Sequence, residues 1–255
     1  MIYNENCLDT MSRMKDNHID LTVTSPPYDN LRDYKGYSFD FESIAKELYR
    51  VTKEGGVVVW VVADGVKNGS ESGTSFKQAL YFKKCGFRLN DTMIYQKENF
   101  IPLTHKRYEQ EFEYMFVFSK GKPKNFNPLM IDCIHAGKTI KRSRKTNEKG
   151  IGLREKQTYL KTKDKKQKGN VWKYKTGGYN TANHVAQFPE QLANDHIVSW
   201  SNENDLVYDP FMGSGTTAKM AILNKRNWIG SEISKEYCDI IRERLLNLKL
   251  NKNKV

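Results

Sequence analysis

Val57-Val58-Val59-Trp60-Val61-Val62 is an unbroken run of β-branched and aromatic side chains with no polar alternation. A strand that is apolar on both sides must be covered on both faces, the habit of parallel strands sandwiched between helices. This confines the chain to α/β architectures. The flanking pattern agrees. Ile19-Asp20-Leu21-Thr22-Val23-Thr24 alternates with period two and stops at Ser25-Pro26-Pro27, as a strand does. Phe41, Ile44, Ala45, Leu48 and Tyr49 recur at helical spacing, and Gly55-Gly56 closes that unit. Helices are expected over residues 75–85, 189–200 and 216–223, and strands over 87–96, 113–119, 206–209 and 228–230. A last amphipathic helix carries Tyr237, Ile240, Ile241, Leu245 and Leu248. Strands alternating with helices predict an open sheet.

Charge divides the chain more sharply than hydropathy does. Lys and Arg number 42 against 30 Asp and Glu, a net of +12. The excess is local: residues 120–175 hold 18 Lys/Arg and 4 Asp/Glu, while the rest of the chain holds 24 and 26. A single-sign field suits a polyanion, whose condensed counterions are released on contact. A solvated basic loop has the same composition. Phe126, Tyr159, Trp172 and Tyr174, interleaved with the charges, favour a surface that orders on nucleic acid. With 255 residues, no disulfide or metal staple is needed for size. No run of about 18 apolar residues is present, so no membrane association is expected. The N-terminus lacks the pattern of a signal peptide. Cys7, Cys85, Cys133 and Cys238 stand far apart and read as reduced thiols of a cytoplasmic protein. His135 and His184 have no neighbouring ligand set, and no metal is expected.

Two motifs stand at predicted strand ends. In Asp209-Pro210-Phe211-Met212-Gly213-Ser214-Gly215-Thr216-Thr217, a strand runs into a glycine-rich turn and a helix starts at once. Gly213 and Gly215 allow close backbone approach, and the helix N-terminus offers unpaired N–H groups. Glu232 follows 23 residues after Asp209, near the offset at which an acid takes ribose hydroxyls in nucleotide-binding α/β folds. The pattern is neither GxGxxG nor a phosphate loop, and Gly-Ser-Gly alone is an ordinary connection. Glu232 turns the reading toward an adenosine-containing ligand. The second motif is Ser25-Pro26-Pro27-Tyr28. Two prolines remove two N–H donors, so local carbonyls point outward. The Ser25 hydroxyl and Pro26 carbonyl can accept from an exocyclic amine, and Tyr28 can stack on its ring. A stiff turn is the plain alternative.

Together, Ser-Pro-Pro-Tyr early and Asp-Pro-Phe-Met-Gly-Ser-Gly-Thr-Thr late resemble the amino-methyltransferases of DNA, in the β-group order of restriction-modification enzymes. The resemblance implies a Rossmann-like methyltransferase sheet, mostly parallel with an antiparallel strand, carrying a basic target-recognition insertion. It implies a catalytic half over residues 1–119, the DNA-reading insertion over 120–175 and a cofactor-binding half over 176–255. S-adenosylmethionine is the implied methyl donor and S-adenosylhomocysteine the product, with no metal. Asp209 through Thr217, with Glu232, would hold the cofactor, and Phe188 in Phe188-Pro189-Glu190-Gln191-Leu192 would pack against its methionine part. Where the family often has Gly-Asp-Cys, this chain reads Glu5-Asn6-Cys7, so Asn6 takes the place of the acid beside Cys7. Ser25, Pro26, Pro27 and Tyr28 would carry catalysis on a base everted from double-stranded DNA. Ser-Pro-Pro-Tyr is more typical of cytosine-N4 enzymes and Asp-Pro-Pro-Tyr of adenine-N6 enzymes; cytosine N4 leads, with adenine N6 the alternative. A nucleic-acid-binding module and an RNA methyltransferase stand behind both. A cognate restriction endonuclease is an implied partner, and monomer and homodimer are both open.

Overall fold

A computed structural model describes residues 1–27, 39–99, 106–147, 153–175 and 189–252. The first half of the chain forms β1 (Ile2–Tyr3), α1 (Cys7–Ser12), β2 (Ile19–Thr24), α2 (Phe41–Val51), β3 (Thr52–Val62), β4 (Val66–Lys67), β5 (Ser70–Glu71), α3 (Thr74–Lys84), β6 (Arg88–Lys97) and β7 (Phe112–Ser119). There follow β8 (Met130–Asp132), β9 (Thr139–Asn147), β10 (Leu153–Lys161), β11 (Lys165–Gln167), β12 (Val171–Tyr174), α4 (Glu190–Trp200), β13 (Leu206–Asp209), α5 (Thr216–Leu223), β14 (Asn227–Ser231) and α6 (Lys235–Lys252). These elements make two compact units, one of Met1–Asn127 with Asn170–Val255, the other of Pro128–Gly169.

The first unit is built on an eight-stranded sheet in the order β1-β14-β13-β2-β3-β7-β6-β12. Every neighbouring pair is parallel except those of β7, which runs against both β3 and β6. Val57 to Val62 of β3 are at most 1 % exposed, as an apolar run without alternation requires. Val58, Trp60 and Val62 pack with Ile44, Ala45 and Leu48 of α2 and with Phe82 of α3. Val57, Val59 and Val61 point to the opposite face by strand alternation. The Trp60 indole donates to Gln78 Oε1 at 2.8 Å, so its one polar atom enters the core with a partner. α4 and α5 pack on each other, α4 also against β2 and α5 against β13 and β14.

The second unit is strand ladder rather than loop. β9 and β10 pair antiparallel from Thr139 opposite Lys161 to Asn147 opposite Leu153, and β8 pairs with β11. A hydrogen bond from Thr162 N to Lys138 O at 2.9 Å extends the first ladder by one step, and one from Cys133 N to Asp164 O at 2.8 Å extends the second. Two of the four aromatics expected on a nucleic-acid surface are not there. Trp172 and Tyr174 are 5 % and 7 % exposed, because β12 joins the large sheet beside β6 and turns alternate side chains inward. Phe126 stacks on Trp200, and Tyr159 is 69 % exposed.

Candidate active site

β2 and β13 are far apart in sequence but hydrogen-bonded neighbours in the sheet, with Val207 opposite Leu21 and Tyr208 opposite Thr22. From β2 the chain proceeds to β3 on one side; from β13 it proceeds to β14 on the other. The boundary between them is therefore a topological switch point, where diverging connections open a crevice beyond the carboxyl ends of the strands. Ser25 is the first residue past β2 and Pro210 the first past β13. Both motifs therefore begin at the adjoining ends of neighbouring strands.

One hydrogen bond ties the two strand ends. Thr24 Oγ1 donates to Asp209 Oδ1 at 2.7 Å, and the same oxygen accepts from Phe211 N at 3.0 Å. Asp209 is 1 % exposed, and burial pushes its carboxyl up to about 6, against the opposing pull of these bonds. Thr217 Oγ1 donates to Val23 O at 3.2 Å, so the first turn of α5 is tied back to β2. Pro210, Ser214 and Thr216 are buried in the turn, and Phe211 packs edge-on to Trp60 with ring centroids 6.2 Å apart. Gly215 has φ +83°, and Ile241 Cγ1 stands 3.0 Å from where a side chain there would begin. The positive φ favours glycine, and any larger residue would also push on the Ile241 side chain.

Glu232 follows β14 and bends back over the turn. Its Oε2 accepts from Gly213 N at 2.8 Å and its Oε1 from Ser234 N at 2.9 Å. Burial raises its carboxyl above the usual range, offset in part by those two amides. Asn4, just beyond β1, donates its amide to the carbonyls of Glu232 and Ile233, both at 2.9 Å. Asn6 is exposed and caps α1, its Oδ1 accepting from Leu8 N at 2.9 Å. The Cys7 thiol is buried among Met11 and Tyr208, and burial pushes it up to about 12. Pro26 is buried, while Ser25 and Pro27 are half-buried. Tyr28 and Phe188 lie outside the described residues. Among the described residues no group of His, Cys, Asp and Glu is placed to hold a metal ion. No helix among them is long and apolar enough to cross a membrane.

Sequence reasoning placed Thr24 at the head of the Ser25 motif without giving it a role, and it missed Asn4 and Arg244, whose guanidinium meets the Ser214 carbonyl at 2.7 Å. Thr24 adjoins Ser25, and its role could have been found by asking what shields a buried Asp209. Asn4 and Arg244 act across pairings that no local pattern announces.

A topological switch point, a glycine turn opening a helix and an acid at the next strand end are the marks of Rossmann-like folds that bind a nucleoside-containing ligand. The family model described as DNA methylase, of the N6/N4 methyltransferase type, matches residues 19–243. The chain belongs to this N6/N4 DNA methylase family and is a DNA amino-methyltransferase. It is 56 % identical over 239 residues to the orphan methyltransferase M.BamHII of Bacillus amyloliquefaciens, covering 90 % of this chain and 89 % of that one. It is 28 % identical over 253 residues to the type II methyltransferase M.BglII of Bacillus subtilis, covering 94 % and 67 %. Among solved structures, the cytosine-N4-specific PvuII DNA methyltransferase superposes with a TM-score of 0.67 at 21 % identity, over 92 % of this chain and 82 % of that one. The M1.HpyAVI–SAM complex gives 0.64 at 24 %, over 96 % and 98 %. These two likenesses establish the shared fold.

Proposed function

We propose that this protein moves a methyl group from S-adenosylmethionine to cytosine N4 of a base everted from double-stranded DNA, with adenine N6 the second candidate. The observation that carries the reading is the Thr24–Asp209 hydrogen bond, which sets the Ser25 and Gly213 loops at adjoining strand ends. The donor set fits the cofactor. Glu232 keeps acceptor capacity beyond its two amide bonds, as a ribose diol requires. The turn Gly213-Ser214-Gly215 brings backbone close to the ligand at the head of α5.

S-adenosylmethionine supplies, when bound, a methyl carbon activated by its sulfonium. The residues of this chain do the rest. Ser25 Oγ and the Pro26 carbonyl accept the two amine hydrogens and draw the nitrogen lone pair out of conjugation with the ring. The nitrogen then forms a bond to the methyl carbon as the carbon–sulfur bond breaks, and the amine proton leaves to solvent past the same acceptors. Tyr28 replaces the stacking lost on eversion. Pro27 holds the acceptors rigid, and preorganised dipoles of this kind supply the rate. Asn6, Asp209, Pro210, Phe211, Ser214, Thr216, Thr217 and Phe188 complete the cofactor side, Cys7 through its place under the turn. Cytosine is favoured because position 25 is Ser rather than Asp. The basic segment of residues 120–175 grips the DNA, its ladders β8–β11 and β9–β10 being the elements of a width a major groove accepts. A cognate endonuclease is a partner by analogy with restriction-modification relatives; the relative at 56 % identity is named an orphan methyltransferase.

Unmethylated phage DNA treated with protein and S-adenosylmethionine, hydrolysed and read by mass spectrometry, should yield N4-methylcytosine. N6-methyladenine alone would transfer the assignment to the second candidate, and no methylated base would defeat both. S25A should lower kcat by about 10²–10³ with cofactor affinity kept, the usual cost of removing one transition-state hydrogen bond.

A further inference from the structure

The turn after β13 is backed by α6. Ile241 touches it at Gly215. Arg244, three residues on and so on the same helix face, reaches it with a guanidinium. Arg244 Nη1 donates to Ser214 O at 2.7 Å and lies 3.3 Å from Ser214 Oγ, while Nη2 donates to Glu190 Oε1. That carboxylate oxygen also takes Lys219 Nζ at 2.6 Å. Glu190 is the first residue of α4, Lys219 sits in α5 and Arg244 in α6. One carboxylate thus gathers a cation from each of two helices, and the guanidinium carries the anchor on to the backbone of the turn.

The carbonyl held by Arg244 and the N–H of Gly215 belong to one planar peptide unit. The Gly215 N–H is pinned at its other side, donating to Met212 O at 2.8 Å. With both ends fixed, this peptide cannot rotate, and the flanking N–H groups keep their aim. The Arg244 side chain is 16 % exposed and Ser214 3 %, so the contact is largely screened from water. A rigid fork bridging a carbonyl and a carboxylate is something a lysine ammonium does not reproduce.

We infer that Arg244 is a positioning residue for cofactor binding. It fixes the Gly213–Gly215 turn through Ser214 O and, through Glu190, couples that turn to the start of α4. The inference rests on the reading of this turn as the cofactor seat. Its test uses the full chain, with S-adenosylmethionine binding followed by calorimetry without DNA and methyl transfer followed on unmethylated phage DNA. R244M should raise the Kd and the cofactor KM together by about tenfold, with kcat at saturating cofactor and the KM for DNA within about twofold of wild type. R244K should recover thermal stability but not cofactor affinity. E190Q should weaken binding about threefold, and the double variant R244M/E190Q should bind no worse than R244M, because the two side chains act as one unit. Wild-type Kd in R244K, or additive losses in the double variant, would overturn the inference. If R244M does not fold, R244K and E190Q still decide it. A wild-type protein that binds no S-adenosylmethionine would instead overturn the reading of the turn itself.

Discussion

A carboxyl group as enclosed as that of Asp209 is costly to ionise, yet its hydrogen bonds from Thr24 and Phe211 need only an acceptor oxygen. Its proton is held more tightly in the folded protein than in the open chain, where the carboxyl has its ordinary value of 3.8 against about 6 when folded. Between those two pH values the native state binds more protons than the unfolded state, so stability falls as pH rises through the window. The full displacement is worth about 3 kcal/mol. Glu232 is shifted in the same direction and adds to the slope. D209N keeps an acceptor for both donors and loses the titration. Urea unfolding at pH 4.5 and pH 7 should therefore show a smaller difference for D209N than for wild type; an unchanged difference would place the titration elsewhere.

At the scale of elements, what was legible followed from side-chain periodicity. The Val57–Val62 run announced a doubly covered strand, and α2, α5 and β13 fell where spacing and glycine placed them. β12 did not declare itself. Val171-Trp172-Lys173-Tyr174 alternates exposed and buried positions inside a lysine-rich stretch, so the pattern of an inserted strand was masked by charge. β9 and β10 were hidden for a related reason. Their register sets Arg144 opposite Lys156 and Lys141 opposite Tyr159, pairs that do not advertise a sheet. The site divided in the same way: Ser25, the glycine turn and Glu232 were visible as local motifs, whereas Thr24, Asn4 and Arg244 depend on which segments meet. The second unit also carries a prediction. Lys138, Lys141, Lys161 and Lys163 are exposed. Changing all four to Gln should flatten the logarithmic salt dependence of DNA binding by about 0.9 for each phosphate no longer neutralised, with cofactor affinity unchanged. An unaltered slope would remove these lysines from the DNA backbone.

For the molecule as a whole, charge and chemistry are partitioned. Residues 128–169 hold 13 Lys/Arg against 4 Asp/Glu, while the sheet unit that carries both motifs is close to electrical balance. If the basic unit binds DNA as proposed, such a division lets that capture be tuned by salt without disturbing the buried carboxyls at the switch point.

The adjacency of β2 and β13 also dictates when, in the life of the polypeptide, the protein becomes competent. Thr24 must wait for a partner 185 positions downstream, and β1 likewise pairs with β14 from the far end of the chain. Contacts so distant along the chain form late and at high entropic cost. A fragment halted at residue 200 should therefore stay open to proteases and fail to retain S-adenosylmethionine, while one extended through α6 becomes resistant, a contrast readable by pulse proteolysis of purified fragments. During synthesis β1 stands with its edge unpaired until β14 is made, and a nascent chain carrying such an edge is open to aggregation over that interval.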